Sequence, residues 1–242
     1  MTHDHGKQGH SHGHDHGHDH EHHHGHENHG HEHHGHEHHD HHHDHHLGDH
    51  HHHEWHSDHY VGHWVENDAR RQGERQPIIA RLIAAVPSIG HEAEFTVLDV
   101  GAGAGAIAEA LLEAFPRARI VLQDYSPPML NVARKRLGKH AAQTSYVLCD
   151  LLDEAWGTKV GGPFDVVVSG IAIHNLQDMG KIAACYETIC GLLKPGGCFI
   201  DYDHFDRAGG IALHQHMFRV AGFQSVNVLW HEHPTAVVKA VA

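Results

Sequence analysis

VLDVGAGAGAIAEAL, residues 97–111, changes character at its first glycine. The preceding VLDV is almost wholly apolar, as expected of a strand covered on both faces. The following AIAEALLEAF (106–115) has helical periodicity. Between them, Gly101, Gly103 and Gly105 let the backbone turn sharply and approach a ligand with no Cβ in the way, while the next helix points its amides at the turn. This pattern places a nucleotide-type site at the carboxyl end of a parallel strand.

Outward from that turn the alternation continues. ARIVLQD (118–124) reads as a second strand, and SPPML (126–130) starts a helix with Ser126 as cap and prolines suited to the first turn. YVLCD (146–150), FDVVVS (164–169) and CFIDYD (198–203) are further strands, with the helix MGKIAACYETICGLL (179–193) between the last two. After a helix through LHQHMFRVAGF (213–223), SVNVLWHEH (225–233) and TAVVKAVA (235–242) are too closely joined to be anything but antiparallel. Upstream, Ile78, Ile79, Leu82, Ile83 and Val86 form a helical stripe ending near Pro87. The expected fold is α/β: a Rossmann-like doubly wound seven-stranded sheet, mostly parallel, with an antiparallel C-terminal strand pair.

The first 60 residues are a different polymer. Of 39 histidines, 31 lie in the first 63 positions, and through Tyr60 there are twelve acids and one base, Lys7. Most of the formal net charge of −14 sits there, so the rest is only mildly acidic and lacks the basic footprint of a phosphate-backbone binder. With almost nothing apolar to bury, residues 1–59 are expected to be a disordered tail, and the folded domain to span 60–242. Interspersed imidazoles and carboxylates suit Ni, Zn, Co or Cu, with His33, His34, His36, His38, His39, His41, His42, His43, His45 and His46 as the densest candidate ligands. Cys149, Cys185, Cys190 and Cys198 show no CxxC spacing and read as reduced thiols. No apolar run has the length of a signal peptide core or a membrane span, so a cytoplasmic protein is expected.

Taken alone, the glycine turn also fits the dinucleotide pattern GxGxxG/A, with Asp124 as the distal acid. Three features favour another ligand. Asp99, two residues before the first glycine, is placed to hold an ammonium rather than a pyrophosphate; a third glycine makes GxGxG; and LLKPGG (192–197) leads into the later strand. VLDVGAGAGAIAEAL, VLQDYSPPML, YVLCDLLD, FDVVVSGIAIHNL and LLKPGGCFI stand in the order and spacing of the class I S-adenosylmethionine-dependent methyltransferases, which the chain resembles over about residues 95–205. The resemblance implies that Asp99, Gly101, Gly103 and Gly105 hold the methionine part of the cofactor and that Asp124 binds the ribose hydroxyls. It implies that Tyr125 and Met129 flank the adenine, that Asp150 and the Leu151 amide meet its edge, and that Ser169 with Gly170 forms the floor under the methyl group.

The sulfonium is already activated, so the protein's main tasks are to position the acceptor and exclude water; a base helps if the acceptor carries a proton. His174 and His204, after the fourth and fifth strands, are the candidate bases, with Tyr202 and Asp203 beside the latter. Tyr60, His63 and Trp64 are candidate lid residues. The family's NPPY-type motif for amino-methylation is absent after the fourth strand, and no thiol cluster suits metalloid methylation. A small-molecule acceptor is therefore expected, with divalent metal ions as further partners and neither nucleic acid nor membrane. The competing class is a metal-buffering or storage protein with a cofactor-binding but non-catalytic core.

Overall fold

The apolar run before the glycines forms β1 (Thr96–Val100), whose last four residues are all buried. In this computed structural model, residues 54–70, 72–87 and 93–242 are described. All of them fall in one compact unit, His50–Ala242. Four strands run parallel with β1: β2 (Arg119–Asp124), β3 (Thr144–Leu148), β4 (Phe164–Gly170) and β5 (Leu193–Asp203). The last two strands, β6 (Ser225–Glu232) and β7 (Thr235–Val241), form a hairpin, and β7 pairs antiparallel with both β5 and β6. The order β3-β2-β1-β4-β5-β7-β6 reverses direction at β1. In open α/β sheets that reversal opens a crevice at the carboxyl ends of the central strands.

Among the described residues seven α-helices accompany the strands: α1 (Asp58–Arg70), α2 (Gln72–Ala85), α3 (Ala106–Ala114), α4 (Pro127–Arg136), α5 (Trp156–Val160), α6 (Met179–Leu192) and α7 (Ile211–Val220). Strand side chains alternate between two cores, as the period of two demands. Val166 and Val168 face Leu82 of α2 and Leu111 of α3, whereas Val167 and Phe199 face Ile182 and Tyr186 of α6 and Phe218 of α7. Burial of each such aliphatic or aromatic side chain contributes about 1.5–3 kcal/mol, which holds the sheet between its helical layers.

Two elements differ from expectation. The Pro-Gly-Gly turn is part of β5: Leu193 pairs with Phe164 and Cys198 with Val166, so Lys194 to Gly197 form an irregular bulge, with Gly196 at φ 76°. At the other end, the expected boundary at residue 60 falls inside α1, and packing reaches back to Trp55, which joins Val61, Ala104 and Met129 in a small third apolar cluster. The apolar content of α1, chiefly Val61, Trp64 and Val65, is too short a stripe to stand out beside the histidines. It becomes a helix face only where it meets the glycine turn and α4.

Candidate functional site

Two adjacent side chains at the end of β2 lock the turn after β1. The Gly101 N–H donates to Gln123 Oε1 at 3.0 Å, and Gln123 Nε2 donates to the Cys149 carbonyl at 2.7 Å. The Gly103 and Ser126 N–H groups donate to the two carboxylate oxygens of Asp124, at 2.8 and 2.9 Å. Gly101 has φ 64°, and a Cβ there would come within 2.4 Å of the Ala172 Cβ. Glycine is therefore required at 101 by the approach of the loop after β4, independently of any ligand. At Gly103, with φ 52°, a Cβ would meet nothing within 4 Å, so the left-handed backbone is what favours glycine.

Around this turn opens a cavity of about 500 Å³, within the range of small-molecule sites. Its most telling wall group is Asp99, which is 1 % exposed and meets no donor in full hydrogen-bonding geometry at either carboxylate oxygen, the Ala108 amide acting on it only weakly. Burial, and secondarily the Asp124 carboxylate, pushes the Asp99 carboxyl up to about 8, against a lowering influence from the Ala108 amide. Burial likewise raises Asp124, opposed first by the Ser126 and Gly103 amides. An unpaired carboxylate in an apolar wall costs several kcal/mol and takes a proton instead, until a cation arrives to replace it. A primary ammonium is such a cation.

Of the residues expected to hold a cofactor, Asp99, Gly101, Gly103, Asp124, Tyr125, Met129, Asp150 and Leu151 all line this cavity. Asp150 is exposed at its rim, where one carboxylate oxygen accepts from the Leu152 amide at 2.9 Å. Gly105 stands behind the wall as the N-cap of α3, at φ 78°. Ser169 is not in the wall either: its hydroxyl donates to the Val100 carbonyl at 3.0 Å and ties β4 to β1, leaving Gly170 as the lining residue at that strand end.

The two candidate bases come together outside the cavity lining. Asp203 accepts from the His174 N–H at 3.0 Å and the His204 N–H at 2.7 Å, and its Oδ1 lies 2.5 Å from His174 Nδ1. His204 Nδ1 meets Thr235 Oγ1 at 2.9 Å, and the two imidazole centroids are 5.1 Å apart. Burial, then the neighbouring His174, lowers the His204 pKa. Neither imidazole lines the cavity; Ile171, Ala172 and Asn175 after β4 and Tyr202 near the end of β5 do. Ile171 adopts φ 55°, a left-handed conformation that costs a β-branched residue roughly 1–2 kcal/mol, and its N–H donates to the Tyr202 carbonyl at 2.7 Å.

The opposite wall comes from the N-terminal segment. Trp55 and Trp64 line the cavity with their ring centroids 5.7 Å apart, and Arg75, also in the wall, holds its guanidinium carbon 5.2 Å above the Trp64 ring. The Trp55 carbonyl accepts from Ser126 Oγ, the hydroxyl that also caps α4, and His56 packs edge-on against Tyr125 at 5.1 Å. Trp64 was an expected lid residue; its neighbour His63 is exposed. Gln123 and Trp55 were missed. The signal for Gln123 was a polar residue inside the apolar ARIVLQD; for Trp55 it was an isolated aromatic in a histidine-rich stretch.

The ten tail histidines expected to bind metal lie outside the described residues, and among the described residues no group of three or more His, Cys, Asp or Glu is arranged to hold a metal ion. Among the described residues, no helix is long and apolar enough to cross a membrane.

Residues 98–199 match the family described as methyltransferase domain. The chain is 36% identical over 95 residues to a release factor glutamine methyltransferase from Koribacter versatilis, covering 39% of this chain and 33% of that protein. It is 27% identical over 121 residues to a malonyl-[acyl-carrier protein] O-methyltransferase from Xylella fastidiosa, covering 50% and 38%. The chain thus spans little more than a third of the length of these curated relatives. Among solved structures, an O-methyltransferase family protein from Burkholderia thailandensis superposes with a TM-score of 0.62 at 18% identity, covering 77% of this chain and 60% of that one. The N-methyltransferase NodS from Bradyrhizobium japonicum, in complex with S-adenosyl-L-homocysteine, gives 0.53 at 19% identity, covering 69% and 85%. Residues 98–199 therefore match a methyltransferase domain, set in this strand order beside a glycine turn walled by buried acids.

Proposed function

We propose that the protein transfers the methyl group of S-adenosylmethionine, in line, to a small-molecule acceptor, and that its N-terminal histidine-rich segment binds divalent transition metals. The carrying observation is Asp99, a buried carboxyl in the cavity wall that meets no donor in full hydrogen-bonding geometry and is in want of a cation. The cofactor's ammonium fits that need. Asp124 retains lone pairs beyond those facing Gly103 and Ser126 and can accept from the ribose hydroxyls. Tyr125 and Met129 supply flat and polarisable surfaces for the adenine, and Asp150 an acceptor for its amine.

When bound, the cofactor supplies an activated methyl electrophile. The chain's own groups do the rest by position: Gly170 admits close approach at the end of β4, and Trp55 and Trp64 keep water from the cavity. His174 and His204 act through Asp203, holding the loop after β4 and the end of β5 that present Ala172, Asn175 and Tyr202 to the acceptor. A small acceptor is favoured because the loop after β4 reads SGIAIHN and lacks the NPPY-type motif that the family resemblance associates with amino-methylation. Isothermal titration of S-adenosylhomocysteine into the full chain tests the cofactor half, with Asp124→Ala expected to weaken binding. A methyl-transfer screen of metabolites and glutamine-bearing peptides, with and without divalent metal, tests the acceptor. Absence of cofactor binding would return the chain to the metal-storage reading, and preference for peptides would overturn the acceptor class.

A further inference from the structure

The helix that covers the cavity carries an unassigned feature on its outer face. His59 and His63 are four residues apart on α1, both exposed, with ring centroids 5.2 Å apart. In an α-helix, positions i and i+4 project from one face one above the other, the geometry in which two imidazoles bind one transition metal. We propose that His59 and His63 form a bis-imidazole clamp for a divalent transition metal such as Zn, Ni or Cu, with water completing the coordination.

The position of the clamp gives it a consequence. The turn it spans contains Gly62, at which a Cβ would meet nothing within 4 Å. An interior glycine weakens a helix relative to alanine, so α1 is loosest across this turn. On the inner face, Val61 packs with Ala104 of the glycine turn and Met129 of α4, and Trp64 lines the cavity. A metal that binds only the helical form stabilises α1, and through α1 the closed cavity wall. Metal and cofactor therefore favour the same conformation and, by reciprocity, each tightens the other. The coupling rests on the cofactor reading above; the clamp itself does not.

Two measurements on the full chain separate them. The first is amide hydrogen exchange of the peptide 58–70 at pH 7.5, with saturating Zn²⁺ and with chelator. Zinc is expected to slow exchange in the native protein and in the tail variant His33→Gln/His34→Gln, but not in His59→Gln/His63→Gln. Equal protection in the last variant, or none in the native chain, overturns the clamp. The second is calorimetric titration of S-adenosylhomocysteine under the same conditions, where zinc is expected to tighten binding about fivefold or more in the native chain and not in the clamp variant. Zinc protection of α1 with unchanged affinity overturns the coupling alone, and no binding under any condition overturns the cofactor reading while the exchange result stands. Gly62→Ala, which stiffens α1 without metal, is expected to shrink the zinc effect; an undiminished effect overturns the glycine argument.

Discussion

The two walls of the cavity are built by opposite means. The inner wall, at the ends of β1 and β2, consists of backbone immobilised by buried side chains: Gln123 grips Gly101 and the β3 end, and Asp124 grips Gly103 and Ser126. The outer wall is a helix with an interior glycine, two tryptophans leaning on each other and Arg75 stacked above one of them, Trp64. Removing a part from the first should damage fold and ligand binding together, whereas removing a part from the second should alter binding with little loss of stability. A rigid wall suits an invariant cofactor; an adjustable one suits entry, exit and regulation.

The largest separation is expected at Asp99. Asp99→Asn keeps the shape but removes the charge that an ammonium requires, so S-adenosylhomocysteine affinity should fall by roughly a hundredfold, about 2.7 kcal/mol. Its stability effect has the opposite sign. Because the folded carboxyl is raised from 3.8 to about 8, the folded state holds a proton that the unfolded chain releases, and cofactor-free stability declines as pH rises through that interval. Asn escapes the decline, so thermal unfolding at pH 8.5 should find the variant more stable than the native chain, by on the order of 2 kcal/mol. A destabilised variant at that pH would contradict the assignment. In the native protein the same shift predicts that cofactor binding near pH 7 releases a proton, visible as a calorimetric enthalpy that changes with the ionisation enthalpy of the buffer.

Next is Gln123→Ala, which strands the Gly101 amide and the Cys149 carbonyl together. Urea unfolding should show a loss of about 2–3 kcal/mol. Affinity for S-adenosylhomocysteine should fall with it; if stability fell and affinity did not, the turn would not be what positions the ligand. On the outer wall, Trp64→Ala should cost less than about 1.5 kcal/mol because the ring is only partly buried, yet raise the cofactor dissociation constant about threefold to tenfold by admitting water. Smallest is Gly62→Ala, expected to raise stability by about 0.5–1 kcal/mol with near-native affinity in chelator. Destabilisation there would mean that α1 is not helical across that turn.

Much of the inner wall was legible in the sequence because its signals are local. An apolar strand, alternating glycines and an acid two residues earlier need no partner to be recognised, and eight of the ten expected cofactor residues do line one cavity. Ser169 and Gly105 lie outside that lining because alternation along β4 and the cap of α3 turn them toward the sheet and the helix. The outer wall was poorly legible. Val61, Trp64 and Val65 occupy a short stripe diluted by polar residues, and Trp55 contributes through contacts with residues more than 70 positions away, such as Ser126.

By itself, then, the sequence determined the alternation of strands and helices, the antiparallel ending and the identity of the turn. Each depends on periodicity, glycine conformation or connection length, properties a chain carries before it folds. Tertiary structure alone decided that Asp99 meets no donor in full hydrogen-bonding geometry, that His174 and His204 share Asp203 outside the cavity lining, and that the segment after the histidine-rich tail closes the cavity. Those facts depend on which side chains distant in the chain become neighbours when the two cores are buried, and burial is what turns a carboxyl into a site for a cation.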